Sequence, residues 1–263
     1  MNISIVTAFF DIGRGRWRDE HAVPDYLHRT TDTYFERFAH LAKLENDMTV
    51  FTSEDLAPAV RALRGDRKTS VVTIDFENSF GKLRQRISEI QNDPEYKYKI
   101  NHSQIHNPEY WNADYVIVNA MKSKFACMAI EMETTHNELV AWLDFGYCRD
   151  QSTLNGCTKW SYPFDPQKIH LFTIQEFDGT NHYQIISNNL VYVTGPCIVA
   201  GQKRWSDLHR LFFKTMNQLM DDGWIDDDQS ILLQSSIAEP EKFELHPIQE
   251  WFVAFKEFNE NLH

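Results

Sequence analysis

The first 150 residues alternate strand-like and helix-like runs, and that alternation restricts the chain to a small set of folds. Residues 2–9 are β-rich and open into the polar, glycine-containing turn DIGRGRW. Leu27, Thr31, Tyr34, Phe35, Phe38, Leu41 and Ala42 then recur at helical spacing. A short apolar run at 48–52 follows. Ser53 is the expected N-cap of a helix over 56–63, with Glu54 and Asp55 suited to its first turn. Residues 71–76 alternate and are β-branched, as in a strand. Leu83, Ile87 and Ile90 mark another helix, and the polar, two-proline stretch 92–108 reads as a loop. A helical pattern through Val118, Met121, Phe125, Met128 and Met132 leads into a strand at 138–145, ELVAWLDF. This succession predicts an α/β fold, a mostly parallel sheet with helices on both faces. Ligands of such sheets bind beyond the carboxyl ends of the strands, which singles out the turns at 11–17 and 144–150.

The second half is more mixed. Residues 169–175, 182–187 and 190–193 are strand-like, and antiparallel pairing is expected for them. A helix over 201–222 carries Trp205, Leu208, Leu211, Phe212, Thr215 and Leu219 on one face. Another starts at 226–228 and runs through 231–233. Residues 248–258 are amphipathic, with Trp251, Phe252, Phe255 and Phe258 read as core; docking to a membrane surface or partner is the alternative. No repeat or Pro/Gly/Ser linker divides the chain, so its 263 residues are expected to form one domain with halves at 1–150 and 151–263.

Charge narrows the partners. Lys and Arg number 26 against 38 Asp and Glu, a net charge of −12, which argues against a nucleic-acid partner. No run approaches the roughly 20 apolar residues of a membrane span. The N-terminus lacks the pattern of a signal peptide. The four cysteines, Cys127, Cys148, Cys157 and Cys197, form no CxxC and suit a reduced cytoplasm, a Cys148–Cys157 bridge being the alternative.

Three motifs can carry chemistry. In TAFFDIGRGRW an apolar strand opens into a loop with Arg14, Arg16 and, one residue on, Arg18, whose guanidiniums suit phosphate; a basic surface loop is the competing reading. The spacing is not GxGxxG, and no Walker motif occurs. In AWLDFGYCR, Asp144 ends a buried strand, a seat for a hard cation or simply an Asp-x-Gly turn. In GWIDDDQSILL, one of Asp226, Asp227 and Asp228 suffices to cap a helix, with Asp226 the expected cap, and the surplus invites a catalytic base, a hydroxyl acceptor or a metal ligand. Lys122 and Lys124 could reach a phosphate or line a solvated helix face. His246 alone reads first as structural. There is no HExxH or GxSxG.

The runs VTAFFDIGRGRW, NAMKSKF and AWLDFGYCR resemble the HtrL/YibB family of bacterial proteins, and the resemblance covers most of the chain. That family is associated with lipopolysaccharide and surface-polysaccharide gene clusters. More remotely, the chain resembles GT-A glycosyltransferases. Segments 2–10, 144–146, 194–211 and 227–229 match, in order, their nucleotide-binding strand, DxD motif, glycine-containing segment and acidic DDQ-like motif. The resemblance implies a GT-A-like (Rossmann-like) sheet, with residues 1–150 binding a nucleotide sugar and a mixed acceptor-side half at 151–263. The implied reaction moves a sugar from a nucleotide-diphosphate donor to a hydroxyl of a bacterial surface glycan. The implied place is the cytoplasm, with peripheral contact at the inner membrane. Thr7, Phe9, Arg14, Lys122 and Asp144 would hold the donor, and Asp228 or Asp227 would act as base. Asp144 and His246 would hold a divalent cation, Mn²⁺ or Mg²⁺. One departure stands out: the DxD equivalent is Asp144-Phe145-Gly146, without the second acid. Three arrangements stay open: Asp144 binds the cation with diphosphate oxygens alone, a later Asp or His246 completes the shell, or the enzyme works without metal. A non-catalytic nucleotide- or sugar-binding protein is the alternative from another class, and a metal-dependent phosphohydrolase is a third.

Overall fold

A computed structural model describes residues 1–17 and 23–260, so Arg18 lies outside the described residues. Seven strands form one sheet in the order β3-β2-β1-β4-β6-β5-β7. They are β1 (Ile3–Phe9), β2 (Met48–Thr52), β3 (Thr69–Thr73), β4 (Leu139–Leu143), β5 (Ile169–Thr173), β6 (Val193–Gly201) and β7 (Phe243–Pro247). Every pairing is parallel except the two made by β6. The mostly parallel α/β sheet read from the sequence is therefore present, and its mixed half consists of one reversed strand.

The helices used below are α1 (Thr31–Leu41), α2 (Ala57–Arg64), α3 (Gly81–Asn92), α4 (Pro94–Lys99), α5 (Ala113–Ala120), α6 (Lys122–Glu131), α7 (His182–Asn188), α8 (Gln202–Asp221), α9 (Asp228–Ala238) and α10 (Ala254–Glu257). Strand side chains alternate between faces, so Val6, Ala8 and Phe10 join one core while Ile3, Ile5 and Phe9 join the other. The first core packs under α5, α6, α8 and α9, and the second under α1, α2 and the C-terminal segment. Burying both faces is what a near-continuous apolar strand such as LVAWL demands.

Several local expectations are corrected. Residues 182–187 are helical (α7), not a strand, and the reversed strand is β6 rather than 190–193. Asn181 accepts from the Tyr183 N–H and caps α7, which the apolar alternation of HYQII obscures. The loop at 92–108 contains α4, capped by Asp93. Ser53 does not cap α2 through its side chain; its carbonyl accepts from the Leu56 and Ala57 amides instead. The strand expected at 71–76 is β3, set two residues earlier, with Phe76 opening a short helical turn. The amphipathic stretch 248–258 is helical only over α10, although Phe255 is core as expected. All four cysteines are unpaired and buried.

Candidate active site at the carboxyl ends of β1 and β4

The carboxyl ends of β1 and β4 border a cavity of about 800 Å³ including its mouth. Phe9, Arg14, Arg29, Lys122, Asp144 and Arg149 are among the residues that line it. Arg14 lies on a short 3-10 turn, where its guanidinium donates to the Tyr34 hydroxyl at 2.7 Å and to the Leu27 carbonyl at 3.1 Å. Its Nε has no hydrogen-bond partner, and neither does Nη1 of Arg37. Arg37 approaches from α1, where Gly146 makes room: a Cβ there would stand 3.5 Å from the Arg37 Cδ and 3.2 Å from the Tyr34 ring. Burial, then Arg29 and Arg37, pushes the Arg149 pKa down to about 10. Burial and Arg29 likewise lower that of Arg37. Mutually repelling guanidiniums with unpaired buried donors are the chemistry that suits an anion.

Behind this wall lies the opposite chemistry. Lys122, the first residue of α6, has a side chain only 5% exposed. Its ammonium lies 3.0 Å from Asp144 Oδ1, 2.7 Å from Asp228 Oδ2 and 3.1 Å from the Gly195 carbonyl oxygen. Burial opposes the charge, but Asp144 and Asp228 outweigh it and raise the Lys122 pKa. Gly195 on β6 is required for this triad, since a Cβ there would fall 2.2 Å from Asp228 Oδ2. The sequence offered no reason to single Gly195 out beyond its place in a glycine-containing segment.

The triple Asp divides differently from the sequence expectation. Asp227, not Asp226, caps α9 by accepting from the Gln229 amide. Asp226 accepts from the Ser230 hydroxyl. All three are buried, and so is Glu109. Burial, then Asp226, pushes the Glu109 pKa up to about 8, with Arg14 opposing. Burial, then Asp226 and Asp228, raises that of Asp227.

The structure brings Phe9, Arg14, Lys122 and Asp144 together at the cavity, with Asp228 directly behind Lys122. Thr7 is not there. It is sealed in β1 on the sheet face opposite Val6 and Ala8, and its hydroxyl is unpaired. His246 is not there either. It lies on β7, three strands from β4 or roughly 14 Å, packed against Phe172 and Phe258 of the second core. Asp144 instead joins the first-core side, accepting from the Trp142 indole at 2.9 Å. Burial, then His170, pushes the His246 pKa down to about 4. Sequence reasoning missed Arg29, Arg37 and Arg149, whose charges meet only after folding.

Asp144 by itself supplies too few oxygens to hold a resident divalent cation. Its Oδ1 already accepts from Lys122 and Trp142, residue 146 is glycine, and Asp228 stands across the ammonium.

A family described as "Bacterial protein of unknown function (HtrL_YibB)" matches residues 1–260. The chain belongs to that family. It is 38% identical to Protein HtrL of Escherichia coli (strain K12), an alignment covering 98% of this chain and 93% of that protein. Among solved structures, mouse xyloside xylosyltransferase 1 in its apo form is similar at 12% identity, covering 93% of this chain and 85% of that one, with a TM-score of 0.44. At that level the likeness does not bear on activity.

Proposed function

We propose that this protein is a GT-A-like glycosyltransferase that moves a sugar from a nucleotide-diphosphate donor to a hydroxyl of a bacterial surface glycan, of lipopolysaccharide or capsule type. The observation that carries this reading is the convergence of Arg14, Arg29, Arg149 and Lys122 on one cavity beyond β1 and β4, in a chain of net charge −12. A diphosphate is the anion that such a fork-rich wall suits. A second groove shares Phe10, Asp11 and Ile12 with the cavity and runs over the ends of β2 and β3 past Ser53 and Asp75. It offers acceptors for the hydroxyls of a nucleoside.

Transfer leaves negative charge on the departing diphosphate, and pre-placed cations stabilise it without reorganisation. Lys122, held charged by Asp144 and Asp228, supplies one, and Arg14 and Arg149 supply others. Of the readings the missing second acid leaves open, the geometry favours transfer without a metal at Asp144; Mn²⁺ or Mg²⁺ would then enter on the donor's diphosphate. Asp228 acts as a positioning residue through Lys122. Asp227, the cap of α9 beside Asp228, is the proposed base for the acceptor hydroxyl, a role that requires its ionised form. The surface-glycan acceptor rests on the family resemblance. No helix among the described residues is long and apolar enough to cross a membrane, and peripheral action at the cytoplasmic face of the inner membrane is proposed.

Calorimetric titration with a panel of nucleoside diphosphates and nucleotide sugars, with Mn²⁺ and with EDTA, tests this reading. Release of nucleoside diphosphate is then followed with and without a lipopolysaccharide-type acceptor. Release that requires the acceptor is the expected result. Binding without release would make the protein a non-catalytic sugar-nucleotide receptor, and inorganic phosphate without acceptor would make it a phosphohydrolase.

A further inference from the structure

We infer that His170, Glu244 and His246 form a binding site for a zinc-class divalent transition ion, separate from the proposed donor cavity. His170 on β5 stands opposite Glu244 on β7, and the two-residue period places His246 on the same face as Glu244. One ligand atom from each residue lies within 4.8 Å of the others. His170 Nδ1 is 2.9 Å from His246 Nε2 and 3.6 Å from Glu244 Oε2. Tetrahedral zinc with bonds of about 2.0–2.1 Å sets its ligand atoms roughly 3.3 Å apart, which the two His170 distances already bracket; the half-exposed Glu244 side chain has to swing in to close the third side.

The protonation pattern supports the ion. His170 Nε2 lies 2.9 Å from the Asp165 carbonyl oxygen, which can only accept. Nε2 therefore carries the hydrogen, and Nδ1 of the neutral ring presents a lone pair toward His246 and Glu244. Without a cation, a His246 N–H must serve that lone pair, with the Glu244 carboxylate 3.6 Å from the same nitrogen. A metal ion satisfies all three groups together. The backbone carbonyl behind His170 is the kind of partner that fixes the tautomer of a ligating histidine.

The surroundings fix the rings. Phe164 packs on both histidines, and Phe172 and Phe258 pack on His246. Glu244 is half exposed, which gives the ion an entry path and leaves a fourth position for water. In the sheet β7 pairs with β5 alone, so an ion here ties the edge strand to its neighbour. Neither this geometry nor its test depends on the glycosyltransferase reading.

The full chain, stripped with EDTA and dialysed, is titrated with Zn²⁺ by calorimetry and with Co²⁺ by visible absorption. One equivalent of tightly held ion, tetrahedral Co²⁺ bands and a raised melting temperature are expected. Glu244→Gln should weaken Zn²⁺ at least tenfold, and Glu244→Gln with His246→Gln should abolish the site. Both substitutions lie on the edge strand, and near-ultraviolet circular dichroism checks that the variants are folded. Asp144→Asn should bind Zn²⁺ as the parent does. Equal Zn²⁺ binding by the parent and the double variant, or none by the parent, would overturn the inference.

Discussion

Two regions meet at Lys122, and they handle charge in opposite ways. The mouth of the cavity gathers Arg14, Arg29 and Arg149, with Arg37 close enough to lower the Arg149 pKa, and it keeps unpaired guanidinium donors. The floor gathers Glu109, Asp226, Asp227 and Asp228 under almost complete burial, where charge is expensive and carboxyl pKa values rise. Repelled cations thus collect at the mouth, whereas in the floor Asp228 is paired with one ammonium and burial raises the pKa of Glu109 and Asp227. The contrast teaches that an acidic protein can still gather guanidiniums at one cavity when several of its acids are buried behind it.

The largest effect should come from the residue that joins the two regions. Lys122→Met leaves Asp144 and Asp228 without their counter-ion, and breaking a buried pair typically costs about 3–5 kcal/mol. Urea unfolding should show that loss, and adding Asp228→Asn should recover much of the stability but none of the nucleotide binding. A single variant as stable as the parent would mean that the two regions are not coupled through Lys122.

Next comes the floor alone. Asp227 caps α9 through a side-chain oxygen, so Asp227→Asn should leave melting close to the parent, whereas Asp227→Ala should cost about 0.5–2 kcal/mol. If Asp227 is also the base, Asn should cut transfer about a hundredfold with donor affinity kept. Unchanged turnover would reduce Asp227 to a cap.

The mouth alone should respond in binding rather than stability. Arg149→Met removes a repelled guanidinium that stacks 4.2 Å over the Phe252 ring. We expect nucleoside diphosphate affinity to drop about tenfold, or 1.4 kcal/mol, with a melting temperature equal to the parent's or higher. A clear fall in stability with binding intact would reverse the assignment of the two regions.

The last test of the contrast is in pH. The folded pKa of Glu109, near 8, lies above its ordinary 4.5, so the folded chain keeps a proton that the unfolded chain releases. The stability this gives is full below about pH 4.5 and is lost as pH rises to about 8. Glu109→Gln should flatten that part of the melting profile and leave the parent's fall between pH 5 and 8 unmatched.

Legibility followed the range of the interactions. Strands β1, β2 and β4 and helix α8 were readable because their apolar periodicity is local. Helix α7 was misread because five residues of alternating HYQII satisfy either period. Strand β6 was not read from the sequence, because Gly195 and Pro196 interrupt its apolar run and the need for Gly195 emerges only once Asp228 packs against it.

The candidate site divides in the same way. By itself the sequence placed Arg14 and Asp144 at turns and the Asp triplet at a helix start, because strand–turn–helix chemistry is written in adjacent residues; it put Lys122 within a helix running through 118–132, which the structure breaks at Met121. It could not show that Lys122 stands between Asp144 and Asp228, which are separated from it by 22 and 106 positions. Nor could it gather Arg29, Arg37 and Arg149 at one mouth, or move His246 away from Asp144 to the far edge of the sheet. Those placements follow from strand order and from which face of the sheet each residue occupies, and both are set by packing two cores at once rather than by any local propensity.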